Sequence, residues 1–137
     1  MPTIVTKRVY EPPARGDGLR ILVDRLWPRG LRKATADIDV WAKDVAPTPA
    51  LRTWFDHRPE RFAEFKRRYR DELAHNPALA EVQAKLGKGK VTLLYGARDP
   101  AINHAVVLAE VLRREPPRTR KRTVARQLRA SPPRRRS

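Results

Sequence analysis

A chain of 137 residues with 40% hydrophobic content is long enough for one domain with a real core and too short for two. Its 31 Lys and Arg stand against 15 Asp and Glu, a formal net charge of +16, which points any charged partner toward being an anion. With no cysteine there is no disulfide, thiolate metal site or thiol nucleophile, and no apolar run reaches the roughly 18 residues of a membrane span, so a cytoplasmic protein with no membrane partner is expected.

From the N-terminus, Thr3 to Tyr10 is rich in β-branched and aromatic residues and stops at Glu11-Pro12-Pro13, which predicts a strand closed by proline. Gly16-Asp17-Gly18 then turns the chain into Ile21-Leu22-Val23, an apolar run that reads as a buried central strand. It stops abruptly at Asp24, Arg25, Leu26, Trp27 and a Pro28-Arg29-Gly30 turn. The link between the two strands is too short for a crossover helix, which leaves their relative direction open and favours a mixed, mostly parallel sheet. Leu31 to Thr35 reads as a loop or short helical turn. The alternation in Asp37 to Ala42 suggests a third short strand, with a helix through Trp41 and Val45 as the alternative.

Thr48 is placed to cap a helix that has Pro49 at its first position and runs through Leu51, Trp54 and Phe55. From Pro59, Phe62, Phe65, Tyr69 and Leu73 fall at helical spacing, with Arg61, Lys66, Arg67, Arg68 and Arg70 on the other faces. Asn76-Pro77 starts another helix, with Leu79, Val82 and Leu86 on one side, and Gly87-Lys88-Gly89 ends it. Val91 to Tyr95 is a second buried strand. Asp99-Pro100 then reads as cap and first position of a helix carrying Ile102, Val106, Val107, Val111 and Leu112. Two organisational units follow: a single α/β domain over 1–115, and an Arg- and Pro-rich basic tail over 116–137. The tail holds eight Arg, one Lys and no acid, with only Val124 and Leu128 as sizeable apolar residues, so it cannot offset its ordering entropy by burial and is expected to be disordered.

In open α/β sheets ligands bind outside the carboxyl ends of the strands. If the two apolar strands are neighbours, Asp24, Arg25, Trp27, Arg29, Tyr95, Arg98, Asp99, Asn103 and His104 converge on one edge as an anion site. Each also has a plain structural alternative. Asp24 and Arg25 can satisfy a sheet end, Trp27 can be a core aromatic, His104 can face the sheet, and Asp99 can simply cap its helix. No histidines stand at metal-ligand spacing, so no metal site is expected, and the sequence specifies no cofactor.

Several strings taken together resemble a known family. They are Thr6-Lys7-Arg8-Val9-Tyr10, Leu22-Val23-Asp24-Arg25-Leu26-Trp27-Pro28-Arg29-Gly30, Trp54-Phe55 with Phe65 to Tyr69, Leu93-Leu94-Tyr95, and Asn103-His104-Ala105-Val106-Val107-Leu108. They resemble the YeaO-like bacterial family of domains of unknown function, over about residues 3–115. The resemblance implies a compact, Rossmann-like α/β domain in the bacterial cytoplasm, with the basic tail as an addition to it. A more distant branch carries Asp-Val-Arg at the strand end, similar to Asp24-Arg25, and a Cys-His-Arg triplet where Asn103-His104-Ala105 stands here. Cysteine chemistry therefore does not transfer, although His104 does.

Two functions fit these readings. In the first, the domain binds, with or without turnover, a small phosphate- or carboxylate-bearing ligand. Arg25 and Arg29 would hold the anion, with Arg98 and Asn103 beside them. Trp27 and Tyr95 would pack the organic part, Asp24 would orient Arg25 or serve as a general base, and His104 would be acid or base. In the second, the basic tail makes the chain a nucleic-acid-associated interaction protein, binding weakly, without sequence preference and with steep salt dependence.

Overall fold

The computed structural model describes residues 2–114, and the tail expected over 116–137 lies outside the described residues. Four strands form one sheet in the order β1-β4-β2-β3: β1 is Thr3–Arg8, β2 Leu19–Leu22, β3 Val40–Trp41 and β4 Lys90–Tyr95. All three pairings are parallel, so the expected mixed sheet is corrected to a wholly parallel one among the described residues. The reason lies in the link between β1 and β2. Its ten residues can span up to roughly 33 Å, more than the roughly 20 Å length of a six-residue strand. The chain therefore returns along the sheet in extended form with a single 3-10 turn, Arg15–Asp17, and needs no crossover helix.

Gly18 makes that return possible. Its φ is +67°, and a Cβ there would lie 2.1 Å from the Lys90 carbonyl oxygen, so both the left-handed backbone and the close approach require glycine. Beside it, Asp17 is buried and binds the Lys7 ammonium at 3.0 Å, the Arg20 guanidinium and the Ala14 N–H. Arg20, fully buried on β2, also donates to the Asp37 and Ala36 carbonyls, and Thr92 Oγ1 donates to the Asp17 carbonyl at 2.7 Å. Burial pushes the Asp17 carboxyl up, but the Ala14 N–H, Lys7 and Arg20 outweigh it, and the net shift is downward.

Five helices accompany the sheet: α1 (Lys33–Ala36), α2 (Pro49–Phe55), α3 (Phe62–Ala74), α4 (Pro77–Lys85) and α5 (His104–Arg114). The third strand and the two proline-led helices form as read from the sequence. Thr48 Oγ1 accepts from the Leu51 N–H, and Asn76 Oδ1 accepts from the Ala78 N–H. The α5 start differs. Asp99 Oδ1 accepts from Ala101 and Ile102 N–H and closes a separate turn, and the helix opens at His104 with Asn103 Oδ1 accepting from Val106 N–H. Asn103 and Asp99 are both good caps, and only the later one meets the apolar face of α5 in register with the core.

Strand alternation divides the interior in two. Ile21, Val23, Val91, Leu93 and Tyr95 join the large core under α2 to α5, with Phe55, Phe65, Tyr69 and Leu108. Leu22, Leu94 and Val9 face the other way, where Trp27, Leu31 and Ile38 from the chain after β2 cover them. That segment leaves β2 at the carboxyl edge of the sheet, closes the second face and returns to the amino edge to enter β3.

Candidate functional site

The chain leaving β2 is fixed at several points. The Trp27 indole N–H donates to the Leu31 carbonyl and the Trp41 indole N–H to the Asp24 carbonyl, both at 2.8 Å, and the two rings meet edge to face at 5.4 Å. Tyr10, just past β1, donates its hydroxyl to the Arg29 carbonyl at 2.7 Å. Gly30 turns with φ +78°. On the opposite side, the segment after β3 is held by α3. Tyr69 OH donates to the Val45 carbonyl at 2.6 Å, and Glu72 accepts from both the N–H and the hydroxyl of Thr48.

β2 and β4 are direct neighbours, as expected, and Asp24 joins their ends. Its Oδ2 accepts from the Gly96 N–H at 2.9 Å, so close that a Cβ on residue 96 would press on it at 3.0 Å. Its Oδ1 lies 3.1 Å from His104 Nε2, which also lies 3.0 Å from the Val23 carbonyl. Two acceptors around one ring nitrogen require a hydrogen on it, so Nε2 carries the proton. That hydrogen is directed at Val23, and Asp24 Oδ1 is left buried without a well-formed hydrogen bond. Nδ1 of His104 has no partner among the described residues.

These residues line a cavity of about 410 Å³ at the carboxyl ends of the strands. Six of the expected site residues reach it: Asp24, Arg25, Trp27, Arg29, Asn103 and His104. Two do not. Tyr95 shares the face of Val91 and Leu93, so its ring is buried in the core, where burial raises its pKa and its hydroxyl reaches the Asn103 side chain. Arg98 is exposed and lines an adjoining groove, which shares Tyr10, Arg29 and His57 with the cavity and adds Arg8.

Several of the residues that do reach the cavity are already engaged. Arg25 donates to the Ala46 and Pro47 carbonyls at 3.2 and 3.3 Å, with Asp44 4.0 Å away. Asn103 donates to the Asp99 carbonyl at 2.8 Å and caps α5. Trp27 serves the second core as well as the cavity wall. Sequence reasoning missed Arg52, His57, Phe55 and Phe65, which also line it. Arg52 lies on α2, where a single basic residue among Leu51, Trp54 and Phe55 gives no local sign of a cavity. His57 follows Asp56 in a pair of left-handed residues, φ +55° and +49°, that turn the chain out of α2. A non-glycine pair with positive φ is rare and is not signalled by composition.

Around the cavity, Arg29 and Arg52 have no side-chain partner among the described residues, and Asp24 is the single carboxylate lining it. Among the described residues no group of three or more acidic or histidine side chains stands together to hold a metal ion, and no helix is long and apolar enough to cross a membrane.

The chain's relatives carry little chemistry in their names. It is 43% identical to the uncharacterized protein YeaO of Escherichia coli over 111 residues, 80% of this chain and 96% of the relative. It is 49% identical to the uncharacterized proteins Mb3100c of Mycobacterium bovis and Rv3073c of Mycobacterium tuberculosis over 105 residues, 77% of this chain and 89% of each relative. No solved structure matches it. A family model described as the inactive DUF488-N3 subclade matches residues 3–134, which corrects the expectation that the likeness stops near 115 with the tail outside it. The match spans nearly the whole length, and the chain belongs to that subclade of the domain-of-unknown-function family that includes YeaO-like bacterial proteins.

Proposed function

We propose that this domain binds a small phosphate- or carboxylate-bearing ligand in the cavity at the strand ends, a Rossmann-like use of a parallel sheet in the bacterial cytoplasm. The observation that carries the reading is the imbalance of charge. Arg25, Arg29 and Arg52 line the cavity against the single carboxylate of Asp24, whose oxygens are turned to Gly96 and His104. Arg29 and Arg52 supply the anion's partners, and each guanidinium offers a planar fork to an oxyanion. Trp27 packs the ligand's edge, and Arg98 in the adjoining groove takes any second anionic group.

The Val23 carbonyl holds the His104 ring, with the Asp24 carboxylate beside it, so that Nδ1 is left as an acceptor for a ligand hydroxyl or a protonated phosphate oxygen. Binding without turnover is the better-supported form. The family is described as inactive, and the cavity presents no serine, threonine, lysine or cysteine as a nucleophile among the described residues. A cavity of about 410 Å³ falls in the usual range for small-molecule sites.

The test is a thermal-shift screen of the full chain against sugar phosphates, nucleotides and small organic acids, repeated on Arg52→Gln. A ligand that raises the melting temperature of the parent and not of the variant supports the reading. Equal shifts in both would remove the cavity from the account.

A second reading rests on the net charge of +16, of which residues 116–137 hold nine positive charges. Association with nucleic acid through that segment releases counterions and weakens steeply with salt. Retention on DNA that persists unchanged from low to moderate salt would contradict it.

A further inference from the structure

Sorting the cavity walls by burial separates two chemistries. The inner wall is made by Ala46, Pro47, Phe55, Phe65 and Asn103, all buried. Its polar side-chain atoms are used up. The Asn103 amide bonds to the Asp99 carbonyl and the Val106 N–H, the carbonyls of Ala46 and Pro47 accept from Arg25, and Pro47 has no N–H to give. The Phe55 and Phe65 rings stack on each other at 4.3 Å and present only carbon. The rim is the reverse. Arg29, Arg52 and His57 are exposed, and the two arginines have no partner among the described residues.

We propose that the occupant is an amphipathic organic anion, an aryl or alkyl phosphate or carboxylate, with its apolar body against Phe55 and Phe65 and its charged head at Arg29 and Arg52. This rests on the anion-binding reading above and narrows it. Inorganic phosphate would leave the inner wall unused. A nucleotide would bring a base edge whose donors and acceptors meet no free counterpart on the wall of Ala46, Pro47, Phe55, Phe65 and Asn103, which costs affinity because buried polar groups are then left unpaired. Leu26, 65% exposed beside the rim, adds apolar surface that a polar ligand would not use.

The test is isothermal titration calorimetry on the full chain at fixed salt with four probes: inorganic phosphate, phenyl phosphate, phenol and adenosine monophosphate. Phenyl phosphate is expected to bind roughly tenfold or more tighter than inorganic phosphate, with a negative heat-capacity change that marks apolar burial. Phenol and adenosine monophosphate are expected to bind more weakly than phenyl phosphate, and Arg29→Gln with Arg52→Gln is expected to remove the preference for phenyl phosphate over phenol. Equal affinity for phosphate and phenyl phosphate overturns the amphipathic assignment and leaves anion binding standing. Adenosine monophosphate as the tightest probe overturns the assignment in the same way. Phenol binding as well as phenyl phosphate, or no binding by any probe, overturns both readings.

Discussion

Two aspartates flank β2, Asp17 before it and Asp24 after it, and their surroundings differ in kind. Asp17 sits on the loop-covered side of the sheet among Lys7, Arg20 and the Ala14 N–H, and the charges around it are matched and enclosed. Asp24 sits at the carboxyl edge, bonded to Gly96 and facing His104, with unpaired arginines across an open cavity. A saturated cluster of charges serves the fold. An unsaturated one, placed where the strands end, is where a ligand can add something, and the comparison can be broken from either side.

The largest expected effect is on the closed cluster. Arg20→Met leaves Asp17 without its most buried partner and the Ala36 and Asp37 carbonyls without their donor, which should destabilise the domain by about 3–5 kcal/mol in urea unfolding. Gly18→Ala should follow, at about 2 kcal/mol or more, since the added carbon meets the Lys90 carbonyl at a positive φ. If either variant unfolds at the parent's denaturant midpoint, the closed cluster is not what holds β2 in place.

Acid sharpens the same point. The Asp17 carboxyl is held below its ordinary value in the folded protein, so its contribution is fully present above the unfolded carboxylate pKa of about 4. That contribution fades as pH falls through the lower folded value. Glu110, pushed up by burial but lowered on balance by Lys66 and Arg70, acts with the same sign. Unfolding midpoints should therefore be level above about pH 5 and drop below pH 4, and Asp17→Asn, already destabilised at neutral pH, should show a shallower drop.

How far these two clusters could be read from the sequence follows from what each depends on. Asp24, Arg25, Trp27 and Arg29 stand directly after an apolar run, so local pattern alone brings them to a strand end. Arg52 and His57 reach the same cavity only because the chain after β3 climbs over the sheet and turns through two left-handed residues, a long-range placement that local pattern does not encode. Tyr95 was readable in principle, since it shares the parity of Val91 and Leu93 and so belongs to the helix-covered face. Arg20 was missed because a charge one residue before an apolar run looks like a strand boundary, whereas tertiary partners on two loops bury it inside the strand. The parallel direction of β1 and β2 depended on an extended return path, which loop length permits without specifying.

At the open cluster the effects on stability shrink. Asp24→Asn can keep the Gly96 bond, but its amide N–H then faces the His104 Nε2–H, donor against donor, and a loss of about 1–2 kcal/mol is expected. Arg29→Gln and Arg52→Gln, both exposed and unpaired, should each change stability by less than about 0.5 kcal/mol. A loss of several kcal/mol in either would show that the rim arginines belong to the fold.

The most direct test of the central claim, that an anion sits at the strand ends, is a nitrogen-15 NMR titration of the full chain with phenyl phosphate. The account predicts saturable shifts at the Gly96 and Ala97 amides and around Leu26 and His57, with the His104 ring signals moving in step, and predicts that these vanish in the Arg29→Gln, Arg52→Gln double variant. Shifts confined to residues 115–137, growing without saturation and unaffected by the double variant, would contradict it.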